Sequence, residues 1–173
     1  MPNRFRVMVA MTLVVIVGVV GFGRSSAPLA QQHDGSPPVA LTGQDYEEIR
    51  ALYARYNQGS DFRDAELFLS AFADDAVMTR GGRDIVGMDA LRAERAERYA
   101  GQTGDVGRRH YNGSFMIAPT AEGAKARTYY LLLDVTSRPP AMVASGYYDD
   151  VFTKTSHGWR IQHRTLHGDG PAR

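Results

Sequence analysis

Apolar side chains recur at helical spacing through the first half of the domain and alternate along four long segments in the second. Ile49, Leu52, Tyr53 and Tyr56 form one stripe, the pattern of a helix that buries a single face. Thr42 precedes that stripe with Asp45 three residues on, which predicts an N-cap with a reciprocal acid. Gly59-Ser60 ends the helix, so Asp61 stands at its exit. Asp64 caps a second, short helix carrying Leu67, Phe68, Ala71 and Phe72, and Asp74-Asp75 closes it. The first strand is then expected to start at Ala76-Val77-Met78-Thr79. Gly81-Gly82 signals a hairpin into a short strand at Ile85-Val86-Gly87. A third helix follows from about Met88 to Tyr99, with Met88, Leu91 and Tyr99 as its buried edge. The alternating signs of its arginines and glutamates predict a solvated face, with Glu94 and Arg98 paired four apart.

The remaining strands are expected near Arg108–Ala118, Ala124–Thr136, Met142–Lys154 and Gly158–His167. Helices first and a long antiparallel meander afterwards make an α+β plan with helices on one sheet face. In the second of these strands Ala124, Ala126, Thr128, Tyr130 and Leu132 share one face, while Tyr129, Leu131, Leu133 and Val135 share the other. Both are apolar toward the C-terminal half and helices can cover only one, so the other is expected to meet a second copy of the sheet. In the next strand Gly146, Tyr148, Asp150 and Phe152 alternate as one set, expected to point inward. An inward Asp150 is costly unless paired; reversed parity would put Asp149 in its place. Trp159, after Gly158, is expected to plug the sheet end as core.

Ahead of the domain the pattern changes. Arg4 and Arg6 precede an uncharged apolar run over residues 7–23, and residues 24–30 end in small side chains. Residues 1–30 thus have the layout of a signal peptide, or of a retained anchor through residues 7–23. Either way the domain is expected to be exported, to the periplasm or outside the cell, with no other membrane contact. Residues 31–40 read as a polar, proline-containing linker, residues 41–169 as the domain and residues 170–173 as a tail. Loss of residues 1–30 removes three arginines and no acid, turning the formal net charge of +1 into −2. The basic balance is therefore no argument for a nucleic-acid partner. Cysteine is absent, which rules out thiol catalysis and thiolate metal sites.

The candidate chemistry rests on an ordered set of segments. Tyr53-Ala54-Arg55-Tyr56-Asn57 leads to Asp61, and residues 64–77 follow. Arg108-Arg109-His110 heads a strand, Gly146–Phe152 forms a later one, and His157-Gly158-Trp159-Arg160-Ile161 closes the order. This order resembles the SnoaL-like branch of the nuclear transport factor 2-like superfamily over roughly Leu41 to Asp169. The resemblance implies a cone of three helices on a curved, mostly antiparallel sheet, and a homodimer. It also implies a pocket in which a first-helix Asp meets a strand His, and carries those roles onto Asp61 and His110. It is strongest to scytalone dehydratase-type pockets. A carboxylate beside an imidazole fixes its tautomer and suits it to proton transfer. The alternative is a hydrogen bond that only ties helix to sheet. Tyr53, Tyr56, Phe72 and Tyr148 are expected to wall the pocket, with Asp150 sharing the Tyr148 face. A phenol there could hold a developing enolate oxygen, or be core with its hydroxyl at the rim. Two positions depart from the family pattern. A second strand histidine is replaced near Gly146 and Tyr147, and Ser114 stands where many relatives have Asn.

No cofactor or metal is expected. His163, His167 and Asp169 look clustered, but four residues along a strand span about 13 Å, too far for both imidazoles to reach one ion. Phosphate-loop, zinc-helix and hydrolase-elbow motifs do not occur. Asn112-Gly113-Ser114 fits a glycosylation sequon but lies in an expected strand. The chain thus reads as a cofactor-free lyase or isomerase moving a proton on a small, largely apolar carbonyl compound. The competing reading is a non-catalytic binder of an apolar small molecule.

Overall fold

Thr42 opens the first helix by a reciprocal cap. Its hydroxyl accepts from the Asp45 backbone N–H at 3.2 Å, and its own N–H donates to Asp45 Oδ2 at 2.8 Å. In this computed structural model, which describes residues 38 and 40–170, helix α1 runs Gly43–Asp61 and buries Ile49, Leu52, Tyr53 and Tyr56. The expected signal peptide or anchor, most of the linker and residues 171–173 lie outside the described residues. Among the described residues no helix is long and apolar enough to cross a membrane.

Gly59 lets the chain double back. A Cβ there would run into the Phe68 backbone nitrogen, so helix α2 (Ala65–Leu69), capped by Asp64, can cross close to α1. Strand β1 spans Phe72–Arg80, starting four residues before the expected Ala76. Ile161 N–H donates to Ala71 O at 2.8 Å and Phe72 registers with Ile161. Pairing with the last strand thus draws in residues whose exposed Asp74-Asp75 read locally as a helix end. Gly81 and Gly82, both at positive φ (58° and 76°), make the turn into β2 (Arg83–Val86). Helix α3 (Met88–Tyr99) buries Leu91, Arg95 and Tyr99.

Four long strands follow: β3 (Arg108–Pro119), β4 (Ala124–Asp134), β5 (Ala141–Thr155) and β6 (Gly158–Gly168). They and the first hairpin build one curved sheet in the order β2-β1-β6-β5-β4-β3, antiparallel throughout except for β1 beside β6. The result is the expected α+β cone. Ala124, Ala126 and Thr128 point into the core, where Thr128 bonds Tyr53 of α1, with Tyr148, Asp150 and Phe152 beside them from β5. The opposite sheet face leaves Tyr111, Met116, Tyr129 and Leu131 exposed, Tyr129 at 57%. Trp159 is core, and its indole N–H donates to Asp45 at 2.8 Å, tying the sheet end to the start of α1.

Candidate functional site

Asp61 is the last residue of α1 and His110 the third of β3. The β3–β4 ladder sets His110 opposite Leu132, and the helix end delivers the carboxylate to it twice. Asp61 Oδ2 accepts the His110 backbone N–H at 2.9 Å, and Asp61 Oδ1 lies 2.6 Å from Nδ1. The first bond fixes where strand and helix meet; the second orients the ring. With Nδ1 occupied, Nε2 is the nitrogen left for a ligand, and it has no hydrogen-bond partner among the described residues. Arg109, the rival donor, turns away to Asp105 at 2.6 Å and stacks over Phe62.

Both residues line a cavity of about 430 Å³, opening between α1, α3 and the sheet. Of the expected wall, Tyr56 and Tyr148 line it, whereas Tyr53, Phe72 and Asp150 do not. Phe72 packs with Phe68 and Tyr56 in the core, at centroid distances of 5.3 and 6.0 Å. Tyr53 donates to Asp150 Oδ2 at 2.6 Å and accepts from Thr128 at 3.0 Å. Burial, reinforced by the Asp150 charge, holds its phenol far above the usual range and keeps it protonated. Asp150 does point inward, on the parity expected, but its charge is spent on Arg164. Two bonds of 2.8 Å join them.

Arg164 is a residue the sequence pattern hides. Its guanidinium lies 4.9 Å from the Tyr53 ring centroid and 4.3 Å from those of Tyr56 and Tyr148. A buried cation thus supports the two tyrosines that face the cavity, an arrangement favoured by the negative ring faces. Burial raises the Tyr148 phenol well above its usual range, with Tyr56 adding to the shift, so the hydroxyl stays protonated.

The lining is also more basic than an apolar pocket would be. Arg63, Arg80, Arg95, Arg98 and Arg108 all contribute, alongside Val106, Leu132 and Leu166. Arg95 departs most from the expected solvated helix face. It is 2% exposed and stacks 4.2 Å over Phe68, because it sits on the same stripe as Leu91 and Tyr99. Glu94 holds Arg80 and Arg98 at 2.9 Å and also contacts Arg95. Burial works to raise the Glu94 carboxyl, but Arg95, Arg98 and Arg80 outweigh it and keep it below its ordinary value.

One departure from the expected pattern, the missing second strand histidine, has a steric cause. A Cβ at Gly146 would meet the His167 carbonyl oxygen and lie 2.8 Å from the Tyr130 ring. No histidine fits there, and the space holds the stacked rings of Tyr130 and Tyr148, 4.8 Å apart. Ser114 sits in the irregular stretch of β3 at φ 54°. His163 bonds Thr79 at 3.1 Å, and His167 stacks on Tyr147 beside Asp149. Asn112 of the sequon accepts from Asn57 Nδ2 at 2.6 Å. Among the described residues no three His, Asp or Glu side chains come together as a metal site.

Comparison with known proteins agrees with this architecture. A protein with a cystatin-like fold from Nostoc punctiforme superposes with a TM-score of 0.67 at 23% identity, covering 76% of this chain and 96% of that one. A nuclear transport factor 2-like protein from Novosphingobium aromaticivorans gives 0.61 at 26% identity, covering 75% and 85%. A Catenulispora acidiphila protein in complex with S-DNPA gives 0.62 at 22% identity, covering 74% and 96%. A search of curated proteins finds no match. The family model of the SnoaL-like domain matches residues 42–165, nearly the whole of the folded part from the α1 cap into β6. The chain belongs to the SnoaL-like domain family.

Proposed function

We propose that the domain is a cofactor-free lyase or isomerase that moves a proton next to the carbonyl group of a small molecule. The observation that carries this reading is the ring of His110, tied at Nδ1 to Asp61 at 2.6 Å while Nε2 is left without a partner on the cavity side. With Nδ1–H donated to the carboxylate, Nε2 carries a lone pair and can take a proton from carbon. Asp61 then balances the imidazolium that forms. The Tyr148 hydroxyl, held protonated by burial, is the donor for the oxygen that becomes an enolate. Val106, Leu132 and Leu166 supply apolar contact for the body of the ligand. That a relative of the same fold was captured with the small molecule S-DNPA supports a cavity of this kind as a ligand site.

The test is deuterium exchange at the α-carbon of a panel of small aryl ketones, followed by NMR, with binding read in parallel by thermal shift. Wild-type protein should exchange the α-hydrogen, and His110→Gln should bind without exchanging. Binding without exchange by the wild type would instead favour a non-catalytic carrier. We further propose that two copies pair through the exposed sheet face around Tyr129 and Leu131, and that the domain is exported by residues 1–30.

A further inference from the structure

The arginines of the cavity have no role in the proton transfer, and their number is out of proportion to the acids around them. Five guanidinium groups line it. The carboxylates facing them are Asp61 on the lining, Glu94 among Arg80, Arg95 and Arg98, and Asp134 at 3.3 Å from Arg108. Three carboxylates against five guanidinium groups leave positive charge in excess. Nor are the donors used up. Arg63 Nε is buried and makes no hydrogen bond among the described residues, and Arg108 Nη1 is buried with only the 3.3 Å ion pair to Asp134 as a partner. Arg63 otherwise reaches only the Ser60 carbonyl, at 3.5 Å, and stacks over Tyr99 at 5.0 Å. Buried donors of this kind are costly to leave unmade.

Arg63 carries a second cost. Its backbone stands at φ 57°, the left-handed region where glycine or asparagine would be easier. A long charged side chain kept in that conformation beside a cavity fits a role in binding. Position adds to the argument. Arg63 follows Asp61 by two residues, and Arg108 precedes His110 by two on the same face of β3. Two residues along a strand span about 7 Å, so one small molecule can touch the Arg108 guanidinium and the His110 ring together.

We infer that the ligand is an organic acid, whose carboxylate is held by Arg63 and Arg108, with Arg95 and its neighbours setting the positive field behind them. The inference rests on the proton-transfer reading for where the reacting carbon lies, but not for the binding itself. A planar guanidinium matches a carboxylate by paired N–H···O bonds. In this arrangement the arginines position the anion while Val106, Leu132 and Leu166 hold its apolar body, and the carbon next to the carbonyl is presented to Nε2.

The probe is 4-oxo-4-phenylbutanoate against its primary amide, which has nearly the same shape and no charge. Calorimetry on the whole folded protein at low ionic strength should show the acid bound at least about tenfold more tightly than the amide. Arg63→Gln and Arg108→Gln should each weaken the acid by roughly tenfold to a hundredfold and the amide by much less. Arg108→Lys should recover only part of the loss. Circular dichroism of each variant keeps misfolding out of the comparison. Equal binding of acid and amide, no binding of either at millimolar concentration, or tight acid binding that survives both substitutions would overturn the inference. Inorganic phosphate competing as well as the acid would overturn the carboxylate assignment. The two readings fail separately. Acid preference without α-carbon exchange leaves the anion site standing and removes the proton transfer; exchange without acid preference does the reverse.

Discussion

Arg164 and Asp150 face each other across β6 and β5, joined by two bonds of 2.8 Å, and neither side chain is exposed. Their charges are compensated by one another, by the Tyr53 hydroxyl on Asp150 and by the tyrosine rings around Arg164. Removing one partner leaves a buried charge alone, which typically costs about 3–5 kcal/mol, whereas replacing both with apolar groups is far milder. Arg164→Met and Asp150→Leu should therefore each lower the urea midpoint sharply. The double variant Asp150→Leu with Arg164→Met should recover much of it. Additive losses in that cycle would show that the two side chains are not coupled.

This pair marks where the sequence becomes illegible. Strict alternation from Trp159 and Ile161 puts His163 inside and Arg164 outside. A register shift opposite Val151 and Phe152 inserts Gln162 as an extra residue, and parity flips. Nothing local in Ile161-Gln162-His163 announces that bulge. Arg95 is different: its spacing of four from both Leu91 and Tyr99 did place it on the buried stripe. Charge alternation concealed it, because a guanidinium can lie flat on Phe68 with its head against Glu94. The Asp61–His110 contact, by contrast, is legible through the family resemblance, which brings a clearly punctuated helix end to a clearly punctuated strand start. The helical period gives Tyr53 the right face and the wrong depth, since it reports direction and not distance from the cavity.

Asp61→Asn separates orientation from charge. The carboxylate accepts both His110 N–H groups, at 2.9 and 2.6 Å, and an amide can accept with only one of its two atoms. The variant should lose about 1–3 kcal/mol of stability, the usual cost of leaving a buried donor unmade. It should slow α-carbon exchange by roughly 10²–10⁴, the span of general-base catalysis by the His110 ring that Asp61 orients. Exchange at the wild-type rate would remove Asp61 from the mechanism.

Gly146→Ala tests why a second strand histidine is missing. The added carbon would press on the His167 carbonyl and lie 2.8 Å from the Tyr130 ring. Backbone cannot yield as a side-chain tip can, so the loss should be at least about 1–3 kcal/mol, the range for overpacking. The Tyr130–Tyr148 stack should loosen with it, visible as a change in near-ultraviolet circular dichroism. A variant as stable as wild type would mean that β5 and β6 can part locally.

The outer sheet face predicts an assembly state. Tyr111, Tyr129, Leu131 and Val151 are exposed on one side of three neighbouring strands. Exposed apolar side chains gathered on one sheet face usually mark an interaction site. Light scattering of residues 41–170 should give a dimer at micromolar concentration, and Tyr129→Glu with Leu131→Glu should give a folded monomer. A monomeric wild type would sink the dimer and leave the fold untouched.

Acid sensitivity should centre on Asp45. Its carboxylate accepts from Lys154 at 2.6 Å, from the Trp159 indole at 2.8 Å and from the Thr42 backbone N–H at 2.8 Å. The Lys154 bond, then those to Trp159 and Thr42, hold the Asp45 carboxyl far below its ordinary value. A depressed folded-state value means that the unfolded chain takes up the proton first as pH falls. The stabilisation is thus complete above the unfolded value, about 4, and drains away as pH drops below it. Asp45→Asn keeps the shape but cannot pair with Lys154. It should be less stable than wild type at neutral pH, and the gap between the two melting curves should narrow steadily from about pH 4 downward. Asp105, held near 2 by Arg109 and the Gly107 backbone N–H, titrates in the same window, but it is unchanged in both proteins and cancels in the difference. A gap independent of pH would mean that the Lys154 and Trp159 bonds add nothing to folding, and that the α1 cap at Thr42 stands without them.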